Sequence, residues 1–101
     1  MPEPDEPHYR LSVVAELLQI HPDTVRRYER RGLIRPRLLQ GEKVYTESCL
    51  VRMRRIGTVT ELGVNLAGAE VVCNLLDRLE ELHQEHEALR EQLRRLLEQA
   101  P

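Results

Sequence analysis

Apolar residues return at helical intervals in four stretches of the chain, and the pattern breaks between the second and the third. The first stretch sets Val13, Val14, Leu17 and Leu18 on helical spacing, with Ser12 as a candidate cap and Ile20 at its end. The second opens on Pro22, whose missing N–H costs nothing in a first turn. It runs to Arg31 and stops at Gly32, a favourable left-handed cap. Only about two residues separate these helices, which dictates a tight helix-turn-helix. From Leu33 to Tyr45 the ends are apolar, the middle is a polar turn containing Gly41, and Pro36 forbids a helix. That segment predicts two short strands in a β-hairpin. Thr46 then caps a third helix carrying Leu50, Met53, Ile56 and Val59, with Gly63 terminating it. Asn65 caps the last helix, which meets no proline before Ala100.

The last stretch has the most regular pattern. Leu75, Leu82, Leu89 and Leu96 recur every seven residues, and Val72, Leu79, His86 and Leu93 fill the alternate positions at the same period. Together they form an a/d heptad seam with one polar member, His86, placed to set register or orientation. The seam is about 39 Å long at 1.5 Å per residue. A charge-rich helix of that length has little of its own domain to pack against, so these eight residues are the expected dimerisation surface. The alternative is an amphipathic helix folded back on the N-terminal part.

Composition narrows the classes. The chain has 101 residues, no Phe and no Trp, so the core must be aliphatic. No apolar run approaches the roughly 20 residues that a spanning helix needs. The acidic, proline-rich N-terminus is the opposite of a signal peptide, and a cytoplasmic location is expected. Cys49 and Cys73 lack metal or redox spacing and read as buried small hydrophobes. The net charge of −2 conceals a division. Residues 1–7 carry −3, residues 8–65 carry eleven Lys and Arg against six acids, and residues 66–101 carry four Arg against eight acids. A basic block beside acidic ones points to a polyanion as partner of the first part alone.

The chemistry concentrates on the second helix. Val25 and Tyr28 can face the first helix, leaving Asp23, Arg26, Arg27 and Arg30 on the outer face. The planar fork of arginine suits phosphates and guanine edges. The hairpin adds Arg35, Arg37 and Lys43. A basic helix beside a basic hairpin is what a winged helix needs to place one element in the major groove and the other on the flanking backbone.

The stretches LSVVAELLQIHPDTVRRYERRGLIRP and GEKVYTESCLVRMRRIGTVTELGVNLAG resemble the DNA-binding domain of the MerR family. The residues carrying the resemblance are Arg26, Tyr28, Glu29, Gly32, Leu33, Lys43, Tyr45, Leu62 and Gly63. The H-P-x-T-x-R-x-Y-E-R form and the G-V-N-L-A-G run are similar to the heat-shock-repressor (HspR-like) branch. The resemblance implies DNA contacts at Thr24, Arg26, Arg27, Tyr28, Lys43 and Tyr45, and an antiparallel dimer meeting successive grooves of an inverted repeat. The wing closes with Lys43 where the family has Arg, and Glu42 precedes it. The segment from Leu62 to Leu96 is also similar to CbpM-type chaperone modulators, small MerR-like proteins that bind a DnaJ-like co-chaperone.

The expected fold is therefore mainly α: a winged, MerR-like helix-turn-helix followed by a long C-terminal coiled-coil helix. Residues 1–9 are expected to be a disordered acidic tail, 10–70 the DNA-binding domain and 71–101 the dimerising coiled coil. Expected partners are double-stranded DNA, a second copy of the chain and, on the alternative reading, a DnaJ-like or DnaK-like chaperone, with no membrane. No nucleophile–base set, paired acids or phosphate loop is visible, so an enzyme is not expected. The His83 and His86 pair falls short of the three or four ligands zinc takes, so neither metal nor cofactor is expected. The heptads run to the last residues, so sensing of a drug or soft metal by a further domain is not expected.

Overall fold

The computed structural model describes residues 6–101. Its elements are β1 (His8–Tyr9), α1 (Leu11–Leu18), α2 (Pro22–Arg30), β2 (Arg37–Leu39), β3 (Glu42–Thr46), α3 (Glu47–Glu61) and α4 (Leu66–Gln99). The three strands form one antiparallel sheet in the order β1-β3-β2. β1 is a correction to the disordered tail expected through residue 9: His8 pairs with Thr46 and Tyr9 with Tyr45. Tyr9 also donates its hydroxyl to Glu47, and Glu6 accepts from both the backbone N–H and the hydroxyl of Ser48. Those two bonds hold the Glu6 carboxyl below the usual carboxylate range. The rest of the expected tail, residues 1–5, lies outside the described residues.

Helix ends follow local chemistry at five of the six sites read from sequence. The ring Nδ1 of His21 accepts from the Asp23 N–H, one residue ahead of Pro22. Thr46 Oγ1 accepts from the Cys49 N–H, and Asn65 Oδ1 from the Gly68 N–H. Gly32 and Gly63 both sit at positive φ beyond their helices. The exception is Ser12. Helix α1 begins earlier, at Leu11, because the Arg10 carbonyl accepts from the Val14 N–H as the chain leaves β1, so Ser12 falls inside the first turn. Gln19 closes α1 in the left-handed conformation and Ile20 follows, its N–H bonded to the Ala15 carbonyl.

The core gathers Val14, Val25, Tyr28, Leu33, Ile34, Tyr45, Leu50, Met53 and Ile56 from α1, α2, the hairpin and α3. Ala69 and Cys73 extend it into the first turns of α4, and Cys49 lies beside them. Both cysteines are buried and free, and burial pushes the Cys73 thiol up. Val13 and Leu17 share the helical spacing of Val14 and Leu18 but face solvent.

Beyond its first turns, α4 leaves the head. Arg52 holds the junction by donating to the Leu33 carbonyl, Asp77 and Asn74, thereby tying the loop after α2 and helix α3 to α4. Arg55 adds Asp77 and Glu80. Past that point Leu79, Leu82, Leu89, Leu93, Leu96 and Leu97 are all exposed. The molecule measures 62 × 37 × 20 Å, so α4 projects as an arm and does not fold back.

Candidate nucleic-acid interface

Helix α2 divides its residues as the spacing requires. Val25 is 0% and Tyr28 5% exposed on the inner side, whereas Asp23, Arg26, Arg27 and Arg30 are exposed on the outer side. Thr24 is half-buried in the first turn, with its N–H bonded to the His21 carbonyl. Arg26 pairs with Asp23 at 2.6 Å across one turn, an exposed contact that a phosphate or base edge can replace at little cost. Among the described residues, Arg27, Arg30, Arg31, Arg35 and Arg37 enter no ion pair, so their charge is available to a polyanion.

The hairpin stands beside this face and is fastened to it by one carboxylate. Glu29, the least exposed acid of α2, accepts from Lys43 Nζ at 2.6 Å and from the Tyr45 hydroxyl at 3.1 Å. Lys43 is therefore directed toward the arginine helix. Glu42, the acid preceding it, turns the other way and pairs with Arg10 at 3.0 Å. That pairing offsets part of the negative charge on the wing.

The two tyrosines are placed differently from the four polar candidates. The Tyr45 ring is 1% exposed and its hydroxyl is already given to Glu29. Burial first, then the Glu29 charge and hydrogen bond, push this phenol up to about 12. A direct phosphate contact through Tyr45 therefore requires Glu29 to release it. The Tyr28 ring is also buried, and burial pushes its phenol up. Its hydroxyl has no partner among the described residues and is not sealed from the surface, so it remains open to an anion. Arg26 and Arg27 thus share the exposed face of α2, with Lys43 held beside it through Glu29; Thr24 and Tyr28 lie on the flank toward the core, and Tyr45 braces Glu29.

A family model described as "MerR HTH family regulatory protein" matches residues 9–76. The chain belongs to the MerR family. Its match begins within β1 and ends in the first turns of α4, so it takes in the head and the junction. This MerR-family chain is also similar to the "Putative heat shock protein HspR" of Streptomyces coelicolor, at 34% identity over 80 residues covering 77% of this chain. The chain spans about half of that relative, 53% of its length.

Three functional contacts escaped the sequence reading. Glu29 was visible only as part of a pattern, and its role as a clasp depends on a bond across 14 positions. The Arg10–Glu42 pair spans a gap more than twice as long. Arg52 counted as one charge of the basic block, but it is spent on the junction with α4. No local signal marks any of the three.

Proposed function

We propose that this chain is a sequence-specific, DNA-binding transcription regulator that acts as a homodimer on an inverted repeat and represses stress or chaperone genes. The observation carrying the proposal is the outer face of α2, where Arg26, Arg27 and Arg30 stand exposed beside a hairpin clasped to the same helix. On this reading Arg26 and Arg27 enter the major groove with Thr24 at the helix start. Tyr28, Arg35, Arg37 and Lys43 hold phosphates, and Tyr45 positions Lys43 through Glu29. Membership of a regulatory family and the likeness to a heat-shock protein support the assignment to the stress response. The exposed heptads of α4 support the dimer, with Val72, Leu75, Leu79, Leu82, His86, Leu89, Leu93 and Leu96 meeting a second copy. A cytoplasmic location goes with this role, and no helix among the described residues is long and apolar enough to cross a membrane.

Fluorescence anisotropy against the duplex upstream of its own gene, at several salt concentrations, tests the proposal. Tight binding that beats scrambled DNA and weakens steeply with salt is expected. Weak, sequence-blind binding would overturn it in favour of a module for a DnaJ-like or DnaK-like chaperone, and a J-domain would be the next titrant.

A further inference from the structure

We infer that Leu38, at the tip of the hairpin, is an apolar wedge that enters the minor groove beside the groove read by α2; this rests on the DNA-binding reading above. The local backbone fixes where the residue stands. Gln40 and Gly41 both have positive φ, 52° and 80°, and join β2 to β3 with no further residue. This is the two-residue turn whose twist matches paired strands, so the tip is a rigid ribbon. The register pairs Leu38 with Lys43 and Leu39 with Glu42. Residues directly opposite each other in an antiparallel pair share a face, and successive residues alternate. Lys43 reaches Glu29 of α2, so its face is the one turned toward the arginine helix. Leu38 shares that face; Leu39 shares the opposite one, where Glu42 meets Arg10.

Leu38 is 74% exposed, among the most exposed large apolar residues of the chain. Among the described residues it is left open to solvent, with the exposed Lys43 opposite it on the same face and the exposed Arg37 beside it in β2 on the other face. A purely apolar partner on that face would have to strip water from Lys43. A minor groove accepts the cations on its phosphate rims and the leucine between its base steps, and leucine is one of the side chains that such wedges use. Insertion is least costly at pyrimidine–purine steps, which unstack readily. Leu38 would thus add a preference for a flexible step flanking each half-site, at a position where the protein makes no hydrogen bond to a base.

The test uses the full chain and a duplex that it selects from a random pool, with 2-aminopurine placed in turn at each flanking pyrimidine–purine step. The natural chain is expected to brighten the probe at one such step. Leu38→Ala should abolish the brightening and lower affinity roughly ten- to fiftyfold, the scale for a few carbons returned to water. The slope of affinity against salt should not change, because no cation is removed. Leu39→Ala, on the other face, should retain both signals, and Leu38→Met should restore them. The inference is overturned if Leu38→Ala brightens the probe and binds like the natural chain, or if Leu39→Ala loses as much. If the pool yields no preferred duplex, the DNA-binding reading fails and the wedge fails with it.

Discussion

Arg26 and Glu29 lie three positions apart on α2 and serve the same face in opposite ways. Arg26 is exposed and bound only to Asp23, so its removal should leave the fold intact. Arg26→Ala is expected to cost about 1–3 kcal/mol of specific DNA affinity with an unchanged melting temperature. An unchanged affinity would remove Arg26 from the interface. Glu29 is structural as well as electrostatic, because the hydroxyl of a buried tyrosine depends on it. The same contact bears on alkaline stability. The folded state holds the Tyr45 proton to about 12, against an ordinary phenol value of 10.0. Below pH 10 both folded and unfolded chains keep the proton, and this contribution is fully present. Between about 10 and 12 only the folded chain keeps it, so stability falls as pH rises. Tyr45→Phe should shallow this decline in urea titrations. Tyr9 and Tyr28 are also raised, so part of it should persist.

At the scale of elements, the start of α4 leaves no room at its glycine. Gly68 donates its N–H to the Asn65 cap, and a Cβ added there would lie 2.6 Å from Val64 Cγ1 and 3.3 Å from the cap oxygen. Valine is stiff about χ1, so neither neighbour yields freely. Gly68→Ala should therefore destabilise the chain by about 1–3 kcal/mol, despite alanine's better helix propensity. A melting temperature that rises instead would show that the first turn relaxes. The arm itself carries no such constraint. Its intrahelical ion pairs, such as Arg78 with Glu81 and Arg94 with Glu98, are exposed and contribute little each. On the proposed dimer, burial of its exposed leucines against a second helix would be what keeps its distal half helical.

The whole molecule is a head with a lever. Its radius of gyration is 17.8 Å, whereas a compact chain of this length would have about 13 Å. On the proposed reading, the acidic arm would carry the pairing surface away from the basic head, so that a second copy and a polyanion would not compete for the same residues. Leu89→Glu, in the middle of the seam and 64% exposed in the single chain, should convert the dimer to a monomer in sedimentation velocity and leave the head folded. It should also weaken binding to an inverted repeat far more than binding to a single half-site, because the link between two recognition helices is lost. Equal loss on both duplexes would show that the arm acts on the head and not through pairing.

Much of this architecture was open to reading before any coordinates. Pro22, Gly32, Thr46 and Asn65 mark helix ends through chemistry that acts within a few residues, and the heptads of α4 repeat a short period many times. Val25 and Tyr28 divide α2 into two faces by spacing alone, so the arginine face followed. What escaped were the contacts that depend on where distant segments meet. His8–Tyr9 looked like the end of a polar tail because two residues hold no periodicity, and they became a strand only through the free edge of β3. The same holds for Glu29 with Lys43 and Tyr45, and for Arg52 with Asp77, which join positions 14 to 25 residues apart. Periodicity and caps are local and leave a mark in the order of residues. A charge pair across the fold leaves none, because any carboxylate within reach would serve, and reach is set by packing.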